Sequence, residues 1–113
     1  MKYVIMIIGD ESKFPTEEAE SEAWMKEIGA WYDRWTEAGK IVDGGAELDS
    51  PSKAKTVRGT GVTDGPYIEA KEAIGGFSVL ETDTIDEAVE IASGWPGVSD
   101  GWMTMEVRPV IER

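Results

Sequence analysis

The 113-residue chain has no cysteine and no histidine. The first absence excludes disulfides, thiolate nucleophiles and thiolate metal sites, and it fits a reducing compartment. The second removes the commonest general base at neutral pH and the commonest metal ligand. Any proton transfer would fall to carboxylates, lysine or tyrosine. The chain also lacks an apolar run of roughly 18 residues, so no membrane span is expected. Basic charge is scarce: 11 Lys and Arg stand against 23 Asp and Glu, for a net charge of -12. A nucleic-acid binder normally carries a basic stripe. Here the bases have acidic neighbours, and the acidity reads as solubility. No P-loop, Rossmann or nucleophile-elbow motif occurs, and Gly59-x-Gly61-x-x-Asp64 is too short to count as one. Glu17, Glu18, Glu20 and Glu22 run along one segment and read as a solvated helix, not a metal site. No cofactor is expected.

At this length residues 1–113 are expected to form one domain, burying about two thirds of the unfolded chain's surface without staples. Residues 3–8, Tyr-Val-Ile-Met-Ile-Ile, are continuously apolar and rich in β-branched side chains, as suits a central strand. Gly9-Asp10-Glu11 follows where a signal peptide would carry a small-residue cleavage site. The start therefore reads as a strand, and the expected compartment is the cytoplasm.

The spacing predicts a helix over about 16–38, with Thr16 as N-cap and acids in the first turns. Trp24, Ile28, Trp31, Trp35 and Ala38 fall within about 40° of one another at 100° per residue. Glu22, Lys26, Asp33 and Glu37 lie opposite, and Gly39 supplies the stop. The tryptophan stripe reads as core packing, with cofactor stacking as the minority reading. A strand over 41–48 is interrupted by Gly44-Gly45, which suggests a bulge. A short strand is expected over 54–59, followed by a loop into the Asp64-Gly65-Pro66 turn. Residues 74–82 alternate as a strand, with Phe77, Val79 and Glu81 on one face and Ser78, Leu80 and Thr82 on the other. Thr84-Ile85-Asp86-Glu87 has the form of a capping box and opens a second helix that Gly94 closes. After a loop over 95–101, Trp102 to Val110 reads as the last strand. Met103, Met105 and Val107 share one face of it; Thr104, Glu106 and Arg108 share the other. The order β-α-β-(β)-β-α-β, without tandem βαβ repeats, points to an α+β sandwich of the ferredoxin-like kind.

The chemistry that is present clusters in two places. Thr63-Asp64-Gly65-Pro66-Tyr67, with Lys71, Glu72 and Gly75-Gly76 after it, joins turn-formers to charge. It reads either as a turn with solvated ion pairs or as the wall of a polar pocket. Gly75-Gly76 reads either as a bulge or as room for a ligand. Glu106 and Arg108, two apart on one strand face, are either a surface pair or an Arg clamp for an anion that Glu106 tunes.

These residues carry a resemblance. The chain resembles the YCII-related family, in the branch named for its Asp-Gly-Pro-Phe motif. The matching segments are Met1-Lys2-Tyr3 with Gly9-Asp10-Glu11, Thr63 to Tyr67 with Glu69, Lys71-Glu72, Gly75-Gly76-Phe77, Asp86-Glu87-Ala88 and Glu106-Val107-Arg108-Pro109-Val110. The resemblance implies a ferredoxin-like domain that pairs into a dimeric α+β barrel, so the implied partner is a second copy of the chain. Family members with a His-Asp pair in a cleft suggest enzymes, but this chain has no histidine, and Tyr67 replaces the motif phenylalanine. The reading that follows is a homodimer binding a small, anionic metabolite through Tyr67, Lys71, Glu72, Glu106 and Arg108. Two alternatives stand beside it. One is a cofactor-free enzyme of lyase, isomerase or monooxygenase type with Asp64 as general base and Arg108 or Lys71 stabilising negative charge. The other is a protein-interaction module linked to transcription regulation.

Overall fold

A computed structural model describes residues 1–67 and 72–113. The apolar opening run forms β1 (Lys2–Gly9), the central strand of a four-stranded antiparallel sheet. It lies between β5 (Ala73–Glu81) and β6 (Met103–Pro109), and β2 (Ile41–Glu47) flanks β5 at one edge. The order β2-β5-β1-β6, with α1 (Glu18–Glu37) and α2 (Ile85–Ser93) in the crossovers, is that of a ferredoxin-like α+β sandwich. A separate hairpin pairs β3 (Lys55–Arg58) with β4 (Gly61–Asp64).

Register decides which side of each strand is core. Tyr3, Ile5 and Ile7 stand opposite Leu80, Ser78 and Gly76 on β5, and Ile5 and Ile7 opposite Val107 and Met105 on β6. This inner face is buried against Trp31 of α1 and Ala88, Ile91 and Ala92 of α2. The Trp31 indole ties the two helices together by donating to the Ile91 carbonyl at 3.1 Å. The alternate residues Val4, Met6, Ile8, Phe77, Val79, Glu106 and Arg108 form the outer face, opposite the one that α1 and α2 cover. Among the described residues no helix is long and apolar enough to cross a membrane.

Three expectations shift. The helix begins at Glu18, and its N-cap is Glu17 without a side-chain cap bond, rather than Thr16. Phe14, just before the helix, packs 5.3 Å from the Trp24 ring in its second turn. The loop into the Asp64 turn contains β4, a strand too short and too rich in glycine to announce itself. The 95–101 loop holds one helical turn, α3 (Pro96–Ser99), with proline at its first position, where a missing N–H costs nothing. The second helix has its expected cap: Thr84 Oγ1 accepts from Glu87 N at 3.2 Å, and Gly94 ends the helix.

The glycine pair in β2 is a bulge. Asp43 pairs with Val79 and Ala46 with Phe77, so two residues on β2 face one on β5. Gly45 has φ 67° and accepts no side chain, because an added Cβ would lie 1.8 Å from the Phe77 carbonyl oxygen. Gly44 meets nothing within 4 Å. Gly45→Ala is therefore expected to lower unfolding free energy by about 2 kcal/mol or more, from left-handed strain and the clash. Gly44→Ala should stay within about 0.5 kcal/mol of wild type in the same urea titration.

Candidate functional site

Asp64 is the last residue of β4. Its carboxylate accepts from Lys55 Nζ at 2.6 Å, directly across the hairpin, and both side chains are exposed. An ion-paired carboxylate in open water lacks the enclosed surroundings in which a general base works. Behind it the turn is tied back to β3: Thr56 Oγ1 donates to the Gly65 carbonyl at 2.8 Å, and Gly65 N donates to the Ala54 carbonyl at 2.7 Å. The Tyr67 ring is exposed, with the Arg58 guanidinium 5.5 Å over it.

Tyr67 and Glu72 do come together. They border an open cavity of about 660 Å³ with Ile8, Leu48, Pro66 and Ile74. Asp49 and Lys53 lie on its rim, and the Lys53 ammonium, then the Ser50 amide, hold the Asp49 carboxyl below its usual range. Among the described residues, Asp64, Glu106 and Arg108 do not line this cavity. Glu106 and Arg108 are ion-paired to each other on the outer sheet face, opposite Met6 and Val4. Lys71, and with it Glu69, lies outside the described residues.

A second cavity lies on the inner side of the sheet, beneath α1. It measures about 420 Å³. Phe14, Trp24, Tyr32 and Trp95 give it aromatic walls, and the backbones of Gly44-Gly45 and Gly75-Gly76 border it from the strands. Trp24 reaches it from the N-terminal half of the helix stripe and stands edge-on to Trp95, with ring centroids 6.1 Å apart. Trp95 is buried at the N-cap of α3. Gly97 lets Met103 close behind Trp95, since a Cβ there would sit 2.5 Å from the Met103 sulfur.

The polar groups of this cavity are few. Glu47 is its one charged residue among those described, and Lys and Arg are absent from its lining. Tyr32 hydrogen-bonds to Ser78 at 3.1 Å, and Ser78 Oγ donates to the Gly44 carbonyl at 2.9 Å. A serine hydroxyl has one proton, so Tyr32 must be the donor to Ser78. The indole nitrogens of Trp24 and Trp95 are buried and have no hydrogen-bond partner among the described residues. Among the described residues no group of three or more acidic side chains is placed to hold a metal ion. The lining is predominantly apolar.

Sequence reasoning placed the Trp24 stripe in the core and Trp95 in a loop, and it did not join them. The available signals were an aromatic residue in a Pro-Gly segment and two separate glycine pairs. What unites them is long-range packing.

The hairpin pair makes its own prediction. Because Lys55 and Asp64 meet in solvent, their coupling should be about 0–1 kcal/mol. A double-mutant cycle with Lys55→Ala and Asp64→Asn in urea denaturation measures it. A coupling above about 2 kcal/mol would mean the pair is buried in solution.

The chain is similar to known proteins. The family model for the YCII-related domain matches residues 1–112. An uncharacterized protein of Rhizobium meliloti (strain 1021) is 30% identical over 115 residues, spanning 97% of this chain and 92% of that protein.

Proposed function

The chain belongs to the YCII-related family, and we propose that this member is a homodimeric small-molecule-binding protein whose ligand occupies the aromatic cavity beneath α1. The observation that carries this reading is the cavity itself. At about 420 Å³, with aromatic walls and few polar groups, it has the size and character of small-molecule sites in general. The absence of histidine and cysteine favours binding over turnover. Among the described residues the lining has no cation, so the cavity does not favour the anionic metabolite that Arg108 suggested; Arg108 lies on the outer face, paired with Glu106.

The dimer rests on the outer face. Val4, Met6, Ile8, Phe77 and Val79 form an apolar strip there, uncovered by any described helix, and Phe77 and Ile74 are exposed. The subunit exposes 7744 Å², where a compact monomer of 12.4 kDa exposes about 6,100 Å². The difference, about 1,600 Å² per subunit, is about twice what a standard interface buries on each partner. A net charge of -12 per subunit opposes association, but screening over about 8 Å at physiological salt weakens that opposition.

Light scattering at micromolar concentration should return twice 12.4 kDa. Phe77→Glu should shift the protein to monomer while far-UV circular dichroism is retained. A monomeric wild type would refute the dimer.

Ligand binding is checked separately by a thermal-shift screen against metabolites. A ligand at a hundred times its Kd stabilises the native state by about 2.7 kcal/mol. Its shift should vanish in Trp24→Ala and persist in Arg108→Ala. The reverse pattern would move the site to the outer face and overturn the cavity assignment.

A further inference from the structure

The register of the sheet puts a carboxylate on the side where the helices lie. Directly opposed residues on neighbouring antiparallel strands share a face. Glu47 on β2 stands opposite Gly76 on β5, Gly76 opposite Ile7 on β1, and Ile7 opposite Met105 on β6. Ile7 belongs to the core, so the whole row lies on the face that α1 and α2 cover. Glu47 is the charged end of that row, at the sheet edge, and it borders the cavity beneath α1. Gly76 puts no side chain between it and Ile7. Glu47 is exposed, and among the described residues it forms no ion pair. An inward charge on an edge strand can serve merely to discourage strand pairing. Its place at the mouth of a ligand-sized space gives it a second use.

The surroundings agree in sign. The cavity walls include the rings of Phe14, Trp24, Tyr32 and Trp95. Aromatic faces are negative and attract organic cations. A second cavity, of about 390 Å³, adjoins the first, since Phe14, Leu48 and Gly75 line both. It carries Asp10, Glu11 and Asp49, with no Lys or Arg among the described residues. Each of these three is engaged close by. Asp10 accepts from the Ser12 amide at 3.0 Å and from its hydroxyl at 2.6 Å. Glu11 accepts from the Ser50 hydroxyl at 2.9 Å, and Asp49 from Lys53 at 3.0 Å. They make the approach negative, as does the net charge of -12, and such a field concentrates cations and repels anions. Within the aromatic chamber itself the one described charge is Glu47.

From this, and resting on the cavity reading above, we infer that the ligand class is an organic cation: an apolar body under α1 that carries a protonated amine, with Glu47 as the specificity-determining residue that pairs with the ammonium. The rings take the body and Glu47 fixes which end faces the edge of the sheet. A neutral compound of the same shape gains the apolar contact alone. A carboxylate loses hydration, meets Glu47 and gains no counter-charge from the described lining.

The test uses three probes that share a phenethyl body and differ in charge: 2-phenylethylamine, protonated at neutral pH, 2-phenylethanol and 3-phenylpropanoate. Binding to the intact protein is followed by titration calorimetry and by ¹H–¹³C NMR of the methyl signals of Ile7, Met25 and Ile28, which border the cavity. Those signals should move with each probe that binds, while the exposed Ile111 stays in place. The amine should bind about three- to tenfold tighter than the alcohol, as an exposed ion pair together with a cation–π contact gives. The propanoate should be weakest. Glu47→Gln keeps the size and removes the charge, so it should weaken the amine about threefold and leave the alcohol within about twofold. Glu90→Gln makes the same change in net charge at an exposed position of α2 outside the cavity, and should alter neither. If none of the three probes binds, the cavity reading falls and this inference with it. If the cavity signals respond and the amine and alcohol bind equally, the cavity stands and the cationic class is overturned, as it is if the propanoate binds tightest. If the amine preference survives Glu47→Gln, or falls as far in Glu90→Gln, the role of Glu47 is overturned and its inward charge is left as an edge guard. The order of the three probes on wild type decides the class even where a variant does not fold.

Discussion

The Ser78 hydroxyl joins three elements that are remote in sequence. It sits fully buried in the middle of β5, donates to the Gly44 carbonyl in the β2 bulge and accepts from Tyr32 on α1. A polar atom at that depth is tolerable only because both of its neighbours need it. The bulge leaves the Gly44 carbonyl turned out of the ladder, and the serine answers it. The phenol needs an acceptor on the sheet side of the helix, and the serine oxygen supplies one. This chain of two hydrogen bonds links α1 to the sheet beside the cavity that opens beneath the helix. The aromatic walls come from separate elements: Trp24 from the helix, Trp95 from the turn after α2, and Phe14 closes the end.

Much of the frame can be read from residue patterns, and the reasons are local. Continuous apolar, β-branched residues make β1 central. The step of three and four along Trp24, Ile28, Trp31 and Trp35 gives α1 its buried side. Alternation in β5 and β6 sorts their residues into two faces, and the register keeps those groups together. What alternation could not decide is which face looks inward. On β5 the inward set includes Ser78 and Leu80, with Thr82 just beyond the strand, and the outward set contains Phe77 and Val79. Hydropathy alone would favour the opposite choice. The core choice is made by the helices and by the Ser78 bonds, which are long-range. β4 was missed because Gly61-Val62-Thr63-Asp64 is short and has no apolar face. Thr16 has the right chemistry for a cap, but the helix begins beyond it, at Glu18.

The candidate site divides in the same way. The polar residues singled out by motif that the structure describes, Asp64, Tyr67, Glu72, Glu106 and Arg108, stand on the hairpin, its neighbouring rim or the outer sheet face. Their charges are met locally where pairs form, by Lys55 for Asp64 and by each other for Glu106 and Arg108. The inner cavity is made of residues that look like ordinary core. A motif search favours charge, because charge is conspicuous in sequence. A cavity is a statement about what packing leaves unfilled, and it exists only once distant aromatic rings and glycines have been brought together.

The Gly44-Gly45 bulge has one more consequence, concerning the rim of the sheet. β2 is an edge strand, and a flat edge offers its free N–H and C=O groups to any passing strand. The bulge interrupts that row at its middle, and the Gly44 carbonyl is already engaged by Ser78. A foreign strand could match the ladder on only one side of the kink. At the other edge, Pro109 ends β6 with a residue that has no N–H to give. One kink thus shapes the space under the helix and guards the chain against edge-to-edge aggregation.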